Sequence, residues 1–339
     1  MPIEQLWNYR LSYNNGLIKS NAQVMSQKNN FANSKISCTF AHNLNISLIQ
    51  KIMNNNPVDK AVAALLQGAL SDIEKVTNSD VLSYFGPIVD GNENAFLDII
   101  EDLAKEADKK DTLSVVLTTP GGSAIAVERY VNIIRHFYKK VVFIVPDYAY
   151  SAGTIFCMSG DEIWMDFFSV LGPIDPQVTN RDGHMVPALG YLDKVNALIE
   201  KAQKGTLTQA EFLILKDFDL AELRSYEQAK ELTIDLLKKW LVKYKFKNWT
   251  IHSSSNLEVT DKDKEDRAAE IAEKLGDNTR WKSHGRPINI KELTDLKLKI
   301  DDYSNIQDVR QAIRQYYNLL RDFTIKYRPQ TFIQTRKFI

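Results

Sequence analysis

The residues best suited to chemistry lie between 118 and 177. Ala149-Tyr150-Ser151-Ala152-Gly153 places a hydroxyl where a buried-type run, VVFIVP, gives way to an apolar helical segment. The pattern is close to the G-x-S-x-G elbow, with Ala in the first glycine position. A tight strand-to-helix turn exposes such a hydroxyl. The helix start then offers unpaired N–H groups and a favourable field to a developing oxyanion. Ser is also a good N-cap, and taken alone that structural role accounts for it equally well. The second piece is Thr119-Pro120-Gly121-Gly122, at the end of the preceding apolar run. Two glycines there let backbone N–H groups face a bound carbonyl and let a substrate chain come close. An ordinary strand-to-helix turn is the plain alternative.

The elements that must position these turns follow from pattern. LSVVLTT (113–119) and VVFIVP (141–146) are short, β-branched runs typical of buried parallel strands. Between them runs a helix with Val127, Tyr130, Val131, Ile134 and Phe137 on one face. DVLSYFGPIV (80–89) and EIWMD read as further strands, and NAFLDIIEDLAKEA as an amphipathic helix. Strands that alternate with helices imply crossovers and a mostly parallel sheet, whose ligands bind beyond the carboxyl ends of the strands. Upstream, a helix from Pro57 carries Val58, Val62, Leu65, Leu66, Ala69 and Ile73 on one stripe. Downstream come a helix with Val195, Leu198, Ile199 and Ala202, a long helix over 220–245, and a helix opened by a Thr260–Asp263 capping box. A short helix follows near 289–296. The expected division is an N-terminal arm and helices over 1–75, a core over 76–245, and a C-terminal helical region over 246–339 that closes on the core.

Composition narrows the function classes. Lys plus Arg and Asp plus Glu both number 43 in 339 residues, so the chain has no net charge to draw it to nucleic acid or anionic membrane. LLKKWLVKYKFKNW (236–249) interleaves Lys with aromatics, but an amphipathic helix end with solvated lysines explains it without nucleic acid. Cys38 and Cys157 make no disulfide scaffold, and Cys157 reads as a small core residue. The five His, at 42, 136, 184, 252 and 284, show no metal-ligand spacing, so neither metal nor cofactor is expected. No leader and no membrane span are visible, and the expected location is the cytoplasm. The chain lacks a GxxxxGK[ST] loop, so any unfolding of substrates would need a separate ATPase or regulatory partner.

TPGG, PDYAYSAGT, DEIWMD and LGPIDPQ, in this order and spacing, resemble the serine dehydrogenase proteinase family. That family groups with the serine peptidases of the ClpP/crotonase fold. The resemblance covers roughly 80–200 and continues into RWKSHGRPI and KELTDLKLKI, where Lys297 stands at a position usually held by Gly. It implies an α/β fold, a spiral of ββα units with added N- and C-terminal helical regions. It also implies Ser151 as nucleophile, with Gly121, Gly122 and Ala152 amides as the oxyanion hole, and self-assembly into homo-oligomers.

The general base is open. ClpP-type enzymes carry a His about two dozen residues after the nucleophile; here that position, 24 residues on, is Asp175. Lys194, at the border of an apolar stripe, fits a Ser-Lys dyad if its amine is partly desolvated. Alternatively His284 takes the proton and Asp175 orients the imidazole, since triad roles follow geometry rather than chain order. The functional expectation is a serine peptidase acting on polypeptides through an acyl-enzyme on Ser151. Two other readings of the same fold stay open: an inactive scaffold that binds partner proteins, and a crotonase-type acyl-CoA enzyme.

Overall fold

The β-branched runs do become strands. A computed structural model of the protein describes residues 57–179, 185–252 and 255–337. Its centre is a six-stranded sheet. In chain order the strands are β1 (Asp80–Phe85), β2 (Thr112–Thr118), β3 (Lys140–Val145), β5 (Glu162–Met165), β9 (Asp301–Asp302) and β10 (Phe332–Gln334). The spatial order is β10-β1-β2-β3-β5-β9, parallel throughout except for the antiparallel edge strand β10.

A second, much smaller layer runs across the ends of these strands. Ile88 bridges Gly122, Thr119 bridges Ala149, β4 (Tyr148–Ala149) pairs in parallel with β6 (Val170–Leu171), and Leu171 bridges Ile288. Each turn of the chain therefore adds a main strand and a short segment of the second layer, and the first three then add a helix. The helices are α2 (Glu93–Ala104), α3 (Ala124–Phe137) and α4 (Ala152–Met158), and α1 (Pro57–Thr77) precedes them. This is the ββα spiral of the ClpP/crotonase fold.

Side-chain alternation explains why both sheet faces are covered. In β3, Val141, Phe143 and Val145 face one hydrophobic cluster, formed with α2, α3 and α4. Val142 and Ile144 face the other, formed with α1 and with α11 (Gln307–Tyr327). Each such fully buried side chain contributes roughly 1.5–3 kcal/mol. The stripe of α1 is narrower than the sequence implies: Leu66, Ala69, Leu70 and Ile73 are buried, whereas Val58 and Leu65 face outward. The first turn of α1 reaches past the edge of the core, and the covering partner, α11, has no counterpart in the sequence reading.

The remaining elements are β7 (Gln177–Thr179), β8 (Met185–Pro187), α5 (Ala188–Gln203), α6 (Gln209–Lys216), α7 (Leu220–Trp240), α8 (Asp261–Gly276), α9 (Asn278–Trp281) and α10 (Ile290–Asp295). The helix expected over 220–245 ends as α7 and continues as one turn of π-helix, Leu241–Lys245. Thr260 and Asp263 form the capping box of α8. Residues 246–339 are not purely helical, because they supply β9 and β10 to the main sheet. Lys297 adopts φ +65°, the left-handed backbone that glycine takes most easily. Among the described residues no helix is long and apolar enough to cross a membrane.

The C-terminal strand is locked by one cation. Arg336 Nη1 lies 2.8 Å from both Glu74 Oε1 and Asp80 Oδ1. Asp80 is fully buried at the start of β1 and also accepts from Tyr138 Oη at 2.9 Å. Removing Arg336 strands a buried carboxylate. Arg336→Met should therefore cost about 3–5 kcal/mol in denaturant unfolding. A loss below about 1 kcal/mol, as for a surface pair, would contradict the lock.

Candidate active site

The two turns singled out in the sequence meet through backbone hydrogen bonds. Thr119 N–H donates to the Tyr148 carbonyl at 3.1 Å, and Tyr150 N–H donates to the Thr119 carbonyl at 3.0 Å. This fixes the register of the Pro120-Gly121-Gly122 turn against the Ser151 turn. Gly121 sits so close that a Cβ there would lie 2.8 Å from Ser151 Cβ and from the Tyr150 carbonyl oxygen. Its φ of +105° independently favours glycine. Gly153 is bare for the same reason, with Thr119 Cγ2 filling the space of its missing side chain.

Ser151 itself carries φ +52° and ψ −117°, a conformation that L-residues avoid. It is the N-cap of α4 but makes no side-chain capping bond. The plain N-cap role is thus absent, and a strained, partly exposed hydroxyl is what remains. Among the described residues Ser151 Oγ has no hydrogen-bond partner.

The nearby amides divide into engaged and free. Gly121 N–H donates to Thr119 Oγ1 at 3.0 Å, so it is not available as a third donor to an oxyanion. Gly122 and Ala152 N–H make no hydrogen bond among the described residues, because the bridge to Ile88 uses the Gly121 carbonyl and the Ser123 N–H instead. Thr154, which the sequence reading passes over, ties this corner together. Its buried Oγ1 lies 2.9 Å from the Ala149 and Gly172 carbonyls and accepts from Gly172 N–H at 3.0 Å. A hydroxyl one turn into a helix is a weak signal, and only the contact with a segment 18 residues away gives it meaning.

His284 and Asp175, 109 residues apart, are in direct contact: Nδ1 lies 2.7 Å from Oδ1. The Asp175 side chain is 3% exposed and that of His284 25%. The second layer explains their convergence. From Ala149 the chain runs forward to Ser151; from Leu171, parallel to it, forward to Asp175; from Ile288, antiparallel, backward to His284. All three therefore leave the small sheet by the same edge, on segments about 4.8 Å apart. Asp175, His284 and Lys194 line one cavity of about 520 Å³, whose lining does not include Ser151. Lys194 is exposed on α5, so its amine is solvated rather than half-buried against the stripe.

The other titratable candidates lie elsewhere. Cys157 is fully buried, and burial pushes its thiol far above the usual range, which removes it as a nucleophile. His136 packs edge-on against Phe137, and His252 Nε2 is 3.5 Å from Asp263. His42 and His184 lie outside the described residues.

On a ββα spiral, a strained serine stands beside two backbone amides that have no hydrogen-bond partner among the described residues, and these are the parts that a serine hydrolase uses. Residues 97–254 match the model of the family described as ClpP-like SDH-type serine proteinase. The matched stretch includes Ser151, Asp175 and Lys194 and ends before His284. Two uncharacterized proteins of Methanocaldococcus jannaschii are similar to the chain. One is 28% identical over 189 residues, 56% of this chain and 52% of its own length. The other is 27% identical over 218 residues, 62% and 63% of the two chains. The chain thus spans between about half and three-fifths of the length of these relatives. Two mutants of the 1510-N membrane-bound stomatin-specific protease, one in complex with a substrate peptide, align to 68% of this chain at 15% and 16% identity. The alignments cover 82% and 76% of those chains, each with a TM-score of 0.41.

Gly121 offers a direct test of the geometry. Gly121→Ala forces a Cβ onto Ser151 and the Tyr150 carbonyl, so reaction of Ser151 with a fluorophosphonate should fall at least about 100-fold, the scale of a lost oxyanion contact. The circular dichroism spectrum should be retained. Unchanged labelling would show that the two turns need no close approach.

Proposed function

We propose that the protein is a serine peptidase that cleaves polypeptides through an acyl-enzyme on Ser151. The observation that carries this reading is the strained Ser151 turn held against two unpaired amides. In the proposed reaction Ser151 Oγ attacks the scissile carbonyl carbon, and the resulting oxyanion is held by Gly122 and Ala152 N–H. Gly121 serves by its lack of a side chain rather than by its amide.

His284 is the proposed base. Asp175 holds Nδ1, which leaves Nε2 to take the hydroxyl proton and return it to the leaving amine. Water then repeats the sequence to release the acyl group. The absence of a Ser151–His284 hydrogen bond is in keeping with a resting site whose contacts tighten around substrate. Lys194 supports a second reading, a Ser-Lys dyad, because it lines the same cavity as His284. That role needs the cavity closed, by substrate or by another copy of the chain, so that the amine loses its water.

A fluorophosphonate probe with mass-spectrometric mapping separates these readings. The wild-type chain should be labelled at Ser151 and Ser151→Ala should not. His284→Ala should slow labelling by about 100-fold or more, with partial rescue by added imidazole, whereas Lys194→Ala should stay within a few-fold of wild type. Loss of labelling in Lys194→Ala with His284→Ala unaffected would overturn the His284 assignment. A label at another serine would overturn the nucleophile.

A further inference from the structure

A cavity of about 820 Å³ opens at the other end of the main sheet, where β3, β5 and β9 begin. Ser151 follows the opposite, carboxyl ends, so this cavity is no part of the candidate active site. Its wall includes Tyr244 and Lys245, the end of the π-helical turn Leu241–Lys245, and the segment that follows, part of the stretch of alternating Lys and aromatics noted in the sequence. The volume is in the range of small-molecule sites. Single π-turns are rare in helices and recur at functional sites.

The polar groups of this cavity are incompletely matched. Cationic side chains in its lining outnumber carboxylates two to one. Lys247 is committed to Asp161 at 2.6 Å and Lys140 to Glu162 at 2.5 Å. Lys245 and Lys297 form no ion pair among the described residues. Lys245 Nζ is buried and makes no hydrogen bond among the described residues, and Asp301 Oδ2 is left in the same condition. A buried ammonium without an acceptor is costly, and native structures rarely leave one without a use. Burial pulls this ammonium down to about 8, with Asp301 opposing the shift. Beside it Trp249 stands edge-on to Phe246 at 5.6 Å and to His252 at 5.2 Å, an aromatic wall next to the cations.

We propose that this cavity binds a small aromatic anion, its carboxylate or phosphate pairing with Lys245 and Lys297 and its ring packing against Trp249. The charge excess excludes a cationic ligand, and the aromatic wall favours a ring over a bare inorganic ion. The site lies apart from Ser151 and does not depend on the peptidase reading.

Benzoate and phenyl phosphate, with neutral benzamide as the control, test the proposal by thermal shift and isothermal titration on the full chain. At least one of the anions should bind saturably and raise the melting temperature, and benzamide should not; the two anions report which headgroup the site prefers. Lys245→Met should weaken binding at least tenfold, and Ser151→Ala should leave it unchanged. Because Lys245→Met removes an unpaired buried charge, its unliganded melting temperature should not fall. Should that variant fail to fold, Lys297→Gly, which suits the left-handed backbone, should still weaken binding several-fold. The proposal is overturned if neither anion binds, if benzamide binds as well, or if the folded lysine variants bind like wild type.

Discussion

The site depends on one close backbone approach. Thr119 exchanges hydrogen bonds with Tyr148 and Tyr150, and this brings the glycine turn that follows β2 against the turn that opens α4. The approach is possible only because Gly121 and Gly153 carry no side chains where Ser151 and Thr119 sit. Once made, it holds Ser151 in a backbone conformation it would not adopt alone, and among the described residues it leaves Gly122 and Ala152 N–H without partners. Strain and unpaired donors are both unfavourable in themselves. They persist because two buried strands and Thr154 over-determine the corner.

The rest of the architecture serves to keep that corner fixed and to bring distant residues to it. The main sheet supplies rigidity through cores on both faces, and Arg336 fastens its edge strand to α1 and β1. The small second layer supplies convergence. Its parallel and antiparallel bridges send Ser151, Asp175 and His284 out by the same edge, although 133 residues of chain separate the first from the last. The cavity at the far end of the sheet is built from the opposite ends of the same strands, so it shares a scaffold with the candidate active site without sharing residues.

Much of this was legible in the sequence because it is local. The β-branched runs, the Pro-Gly-Gly turn and the small residues around Ser151 are contiguous, and each encodes its own backbone shape. Long-range facts were not. That His284 meets Asp175 was reachable only as one of two options, since nothing within either segment specifies the other. The solvation of Lys194 could not be read from its place beside Val195, because one helical position decides whether a side chain faces core or water. Helix α11 has a clear apolar stripe through Ile313, Tyr316, Leu320 and Phe323, yet its role appears only when the sheet face it covers is known. Gly121 shows the same limit: its conformation was foreseeable, whereas the capture of its amide by Thr119 was not.

The central claim is that Ser151, the Gly122 and Ala152 amides, and the His284–Asp175 pair form one reacting unit. A crystal structure of the phosphonylated protein tests it most directly. The account predicts phosphorus bonded to Ser151 Oγ, a phosphonyl oxygen about 2.7–3.1 Å from Gly122 and Ala152 nitrogens, and His284 Nε2 within hydrogen-bond reach of Oγ. An adduct whose oxygen faces solvent, or one approached by Lys194 while His284 stays distant, would contradict it.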